Sequence, residues 1–94
     1  MSMKPIRWSA HARKRAAARE IGQAVAEEAI RHPHSVEAGR PPRNIFARRY
    51  FDAILQTDML VRVVVDETPA ELAIVTIYKT SKLRKYLGSK TDAD

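Results

Sequence analysis

Two neighbouring stretches, Met59–Asp66 and Leu72–Lys79, constrain this chain most, because both are apolar at nearly every position. Runs of this length, rich in valine and isoleucine and bounded by turn residues, read as strands covered on at least part of both faces. Only Thr68-Pro69-Ala70 and its flanks separate them, so the connection is a turn and no room exists for a crossover. In the first strand Val61, Val63 and Val65 lie on one face, and Leu60, Arg62 and Val64 on the other. Further strands are expected at Ser35–Ala38 and at Asn44–Ile54, the latter carrying Ile45, Phe46, Tyr50, Phe51 and Ile54. Gly39-Arg40-Pro41-Pro42 and Gln56-Thr57-Asp58 supply the intervening turns.

Before Pro33 the period is different. Ser9 suits an N-cap, and the alanines and arginines after it propagate a helix from about Ala10 to Glu20. Ile21-Gly22 breaks it, and a second helix follows from Gln23 to Arg31 with Ile21, Val25 and Ala29 spaced by four. Glu27 and Arg31 make a favourable surface pair, and Pro33 stops the helix. The expected fold is therefore α+β: two N-terminal helices packed on a twisted antiparallel sheet of about four strands. One domain spans 1–94, with an ordered core over 8–87 and loose termini at 1–7 and 88–94; Ser81–Leu87 forms a helical turn or an arm.

The function classes narrow by charge and by omission. A formal net charge of +6 favours an anionic partner, and basic residues crowd both ends of the chain. No apolar run is long enough to span a membrane, and no apolar signal-peptide core opens the chain, so a cytoplasmic protein without a membrane partner is expected. With no cysteine there is neither a disulfide framework nor a thiolate metal site. Gly22, Gly39 and Gly88 are too scattered for a phosphate loop, and His32-Pro33-His34 offers only two ligands, so no cofactor or metal is expected. Glu27-Glu28 and Asp66-Glu67 sit on a helix surface and at a hairpin end, which argues against metal-dependent nuclease chemistry.

What remains is a basic helix stripe of His11, Arg15 and Arg19, each four residues apart, beside the small Ala12 and Ala16. A second group sits on the last strand: Thr76, Tyr78, Lys79, Thr80, Ser81 and Lys82. Metal-free RNA cleavage needs a base for the 2′-hydroxyl, an acid for the leaving oxygen, and cations for the phosphorane; histidine and arginine supply these. The same residue types also make an ordinary solvated basic face. Arg62 must find a partner or the sheet margin, because it sits in an apolar strand. Trp8 reads as an anchor for the first helix, and at least one of Tyr50 and Phe51 as core. Register decides whether Tyr78 lies under the helices with Val61 and Val63 or shares an open face with Arg62, and a one-residue slip exchanges the two.

In order, His11-Ala12-x-x-Arg15, Arg19-x-Ile21, Pro33, Leu60-x-Arg62-Val63-Val64-Val65 and Val75-Thr76-Ile77-Tyr78 resemble a family of small, mostly uncharacterised bacterial domains. These are similar to the RelE/BrnT-like toxins of toxin–antitoxin systems, and the resemblance covers about Trp8 to Lys85. It implies the RelE-like, BECR-type fold, a metal-independent, mRNA-cleaving ribonuclease, and a small antitoxin partner. By position it implies a catalytic set of His11, Arg15, Arg62 and Tyr78. Arg19, Arg49, Lys79, Lys82, Arg84 and Lys85 are the expected RNA-binding residues. Two other readings stand beside this one. The same surface grips nucleic acid or an acidic protein without catalysis, or an exposed strand edge pairs with another chain, including a second copy.

Overall fold

Ile6 and Trp8 alternate with Arg7, and this short period-two pattern forms a strand where a loose lead-in is expected. In the computed structural model, which describes residues 4–85, the order is β1 (Ile6–Trp8), α1 (Ala10–Ala18), α2 (Gln23–Arg31), β2 (Ser35–Ala38), β3 (Arg43–Asp52), β4 (Thr57–Glu67) and β5 (Leu72–Thr80). The strands form one five-stranded sheet in the order β1-β5-β4-β3-β2. Neighbours are antiparallel except β1, which runs parallel to β5 with Ile6 opposite Leu72 and Trp8 opposite Ile74. The sheet is thus mixed and has five strands, a correction to the four-stranded antiparallel expectation. Parallel pairing without a local crossover is possible because β1 and β5 stand at opposite ends of the chain. Ion pairs from Lys4 to Glu67 (2.7 Å) and Arg7 to Glu71 (2.8 Å), and the Leu72 N–H donating to the Pro5 carbonyl (2.9 Å), fasten β1 there.

α1 begins as expected, with the Ser9 hydroxyl accepting from the Ala12 N–H at 3.0 Å. It ends two residues early. Glu20, not Gly22, takes the left-handed conformation (φ 55°), and the N–H groups of Glu20 and Ile21 return to the carbonyls of Ala17 and Ala16. That is the usual helix-ending pattern with a glutamate where glycine is commoner. Ile21 and Ala16 both enter the core, which fixes the turn. Ala12 and Ala16 are the buried positions of α1, so the helix backbone approaches β5 closely. α2 contributes Ala26, Ala29 and Ile30, and Trp8 is tied to it through its indole N–H donating to Glu27 at 3.0 Å. The Glu27–Arg31 pair is present at 3.4 Å. These donors, the Trp8 indole first, hold the Glu27 carboxyl below the usual range.

Both helices cover one face of the sheet, over Phe46, Val61, Val63, Val65, Leu72, Ile74 and Ile77. The fully buried aliphatic side chains among them, Val61, Val63, Val65, Ile74 and Ile77, each contribute about 1.5–3 kcal/mol. β5 keeps apolar residues on this face by changing phase. Val64 pairs with Thr76 but Val65 pairs with Ile74, which leaves Val75 as a bulge. Above the bulge Leu72 and Ile74 point to the helices; below it Ile77 and Lys79 do. Thr76 and Tyr78 are carried to the other side, and the register is the one that pairs Tyr78 with Arg62. That side is not open throughout, since Ala47, Leu60, Arg62 and Val64 are buried.

Ser81–Lys85 continues past β5 into a short helical turn. The expected arm residues Tyr86 and Leu87, the 88–94 tail and the first three residues of the lead-in lie outside the described residues. Among the described residues, no helix is long and apolar enough to cross a membrane.

Candidate nucleic-acid interface and phosphate site

β4 is a central strand, so Arg62 reaches no sheet margin, and its side chain is only 9% exposed. It is satisfied from its neighbours instead. Tyr78 stands directly opposite on β5, and the Arg62 Nη1 donates to the phenolic oxygen at 2.6 Å. The guanidinium carbon lies 5.6 Å from the centre of the Tyr78 ring, within cation–π range. From the other flank, Nη2 donates to the Glu37 carboxylate of β2. Accepting from arginine leaves the Tyr78 hydroxyl proton available for donation to an oxyanion. Arg49 shares this side of the sheet, opposite Leu60, and is exposed. Lys82, Arg84 and Lys85 are also exposed, just beyond the end of β5.

The rest of the expected catalytic set belongs to the helix layer. His11 and Arg15 are exposed on α1, with Arg15 Nε donating to His11 Nε2 at 3.3 Å. That bond leaves the proton of a neutral His11 ring on Nδ1. The structure therefore divides the four residues into two pairs: His11 with Arg15, and Arg62 with Tyr78. Arg19, at the end of the α1 stripe, is the residue that reaches β5. β1 covers β5 only as far as Ile74, and along the uncovered remainder Arg19 donates to the Ile77 carbonyl at 3.0 Å. The stripe of His11, Arg15 and Arg19 thus runs to the edge of β5, one residue before Tyr78.

Lys79 is not part of a basic surface. The bulge turns it toward the helices, where its side chain is 12% exposed and Nζ bonds the Asp52 carboxylate at 2.6 Å. Asp52 accepts four bonds: from Lys79, from the Tyr50 hydroxyl (3.0 Å), and from the Ile54 and Leu55 N–H groups (3.0 Å each). These donors, Lys79 first, hold its carboxyl down at about 2. Burial, reinforced by Asp52, pushes the Tyr50 hydroxyl up. The cluster locks the β3–β4 turn, where Phe51 and Ile54 project into solvent and Gln56 takes a left-handed φ of 57°. The turn is Ala53–Gln56, earlier than the expected Gln56–Asp58. Tyr50 packs on the core and Phe51 does not.

The two remaining histidines serve the α2–β2 junction. The His34 Nδ1 accepts the Arg49 backbone N–H at 3.0 Å, and Arg48 donates to the His32 carbonyl at 2.6 Å.

Glu37 and Asp52 escaped the sequence reading. Arg62 signals a need for a partner, but only the β2–β3 and β3–β4 registers say that it is Glu37, and Lys79 is expected on the RNA-binding surface rather than against a carboxylate.

No curated protein and no solved structure matches this chain. Residues 8–79 match the family described as "Domain of unknown function (DUF4258)". The matched span holds His11, Arg15, Glu37, Asp52, Arg62, Tyr78 and Lys79, and stops short of Lys82, Arg84 and Lys85. It runs from the last residue of β1 to the penultimate residue of β5, taking in both helices and the whole of the core sheet between, and the chain belongs to this family.

Proposed function

We propose that this protein is a toxin-like, metal-independent ribonuclease of the RelE/BrnT type, acting on RNA in the cytoplasm and restrained by a small antitoxin. The observation that carries the reading is that a cationic group on each side of the sheet bonds to β5, at successive residues. Arg19 of the α1 stripe bonds the Ile77 carbonyl, and the next residue, Tyr78, bonds the Arg62 guanidinium from the opposite side of the sheet. An RNA strand laid around this edge meets Arg15 and His11 on one side and the Arg62–Tyr78 pair on the other. In the reaction the 2′-oxygen attacks phosphorus and loses its proton, and the 5′-oxygen leaves and gains one. A cyclic phosphate and a free 5′-hydroxyl result. Arg15 and Arg62 neutralise the phosphorane, Tyr78 donates to it, and His11 moves one of the two protons. Arg49, Lys82, Arg84 and Lys85 hold the flanking backbone.

A second reading, a module that grips RNA without cutting it, is favoured by one observation: His11 and Arg62 belong to different layers of the molecule. Incubating a labelled RNA pool in EDTA separates the two. The ribonuclease reading predicts products ending in cyclic phosphate. Intact RNA, retained with an affinity that falls steeply with salt, would transfer the assignment to the binding module. Under either reading the unpaired outer side of β2 is the edge through which a second copy would add.

A further inference from the structure

We infer that Glu37 is a resident competitor for the anion site made by Arg62 and Tyr78: its carboxylate holds the place on the guanidinium that an incoming phosphate takes. The identity of that phosphate, an RNA diester, rests on the ribonuclease reading; the competition itself requires only an oxyanion.

Tyr78 and Glu37 differ in kind as partners of Arg62. Tyr78 is half-buried and sits opposite on β5, in the interior of the sheet. Glu37 belongs to β2, a four-residue edge strand, and its side chain is 65% exposed although it bonds an arginine that is 9% exposed. A solvated carboxylate on an edge strand swings off its partner at the cost of one side-chain rotation and is rehydrated at once. Guanidinium presents the same planar fork to a carboxylate and to a phosphate, so the two compete for the same donors. The pairing also has a use when no ligand is bound. A guanidinium this buried is costly without a counter-charge, and Glu37 supplies one until phosphate replaces it. While it stays, its negative charge opposes the approach of another anion, so the apparent affinity is reduced by the strength of the Arg62–Glu37 pair.

The test uses Glu37→Gln, which keeps a carbonyl oxygen for Arg62 and removes the charge. Two probes are titrated into the wild-type and variant proteins, a short labelled single-stranded RNA and inorganic phosphate, with the Tyr78 ring resonances followed by NMR. Phosphate and RNA are each expected to bind Glu37→Gln about tenfold more tightly than wild type. The gain should vanish when Arg62→Met is added. Tighter phosphate binding with no RNA binding by either protein would uphold the competition and overturn the ribonuclease reading. Equal RNA affinity for wild type and Glu37→Gln, lost in Arg62→Met, would overturn the competition while leaving RNA as the ligand of Arg62. Phosphate affinity unchanged by Glu37→Gln overturns the inference. If Glu37→Gln fails to fold, Glu37→Asp, one methylene shorter, should still bind phosphate more tightly than wild type; unchanged affinity there counts equally against it.

Discussion

Asp52→Asn lowers the melting temperature by about 10 °C or more, because it strands a buried ammonium. Lys79 then loses its counter-charge, keeping neutral acceptors such as the Glu20 carbonyl at 3.4 Å, and its side chain is too enclosed to be rehydrated. The reverse change, Lys79→Met, is milder, since Asp52 keeps the Tyr50 hydroxyl and two backbone N–H donors. The asymmetry separates the cost of an unpaired charge from the worth of the pair. pH provides a second view. Asp52 titrates at about 2 in the folded chain, below the ordinary value of 3.8. Its contribution is therefore complete above pH 4 and disappears as pH falls from 4 toward 2. Thermal melts followed by circular dichroism at pH 7 and at acidic pH check both statements. An Asn variant melting within about 2 °C of wild type would mean that the β3–β4 turn is held by other contacts.

His11→Ala is expected to reduce RNA cleavage by about 10²–10⁴-fold. The melting temperature should stay unchanged, because the ring is exposed and its bond with Arg15 is a surface one. The readouts are the cleavage rate in EDTA and the thermal melt of the same sample. A variant that cleaves at the wild-type rate removes His11 from the mechanism and leaves the proton transfers to the other side of the sheet.

The helices and four of the strands were legible in the sequence because their signals are local. Ser9 caps α1, Pro33 follows α2, and Val61, Val63 and Val65 keep one face of β4 apolar. β1 was not legible. Three residues after a proline carry almost no local signal, and its pairing with Leu72–Ile74 depends on the far end of the chain. The site was harder for a related reason. Counted in twos from Ile74, Thr76 and Tyr78 fall under the helices and Lys79 faces away from them. The bulge at Val75 reverses all three, and nothing in Ile74-Val75-Thr76-Ile77 marks where an extra residue is inserted. Arg62 announced that it needed a partner, yet Glu37 is twenty-five positions away on a strand whose register is set by β3. Charges inside apolar strands are thus readable as demands; how those demands are met is a property of the sheet.

In the proposed mechanism the α1 stripe and the Arg62–Tyr78 pair act on a single phosphate across the edge of β5. A double-mutant cycle on RNA cleavage, with Arg15→Ala and Tyr78→Phe made separately and together, tests it. Neither change removes a buried apolar group, and Arg62 keeps its Glu37 counter-charge in Tyr78→Phe, so the fold should persist. If both side chains serve one phosphorane, the combined loss in rate is well below the product of the single losses. Losses that multiply in full would show two independent surfaces on opposite sides of the sheet and would contradict the proposed site.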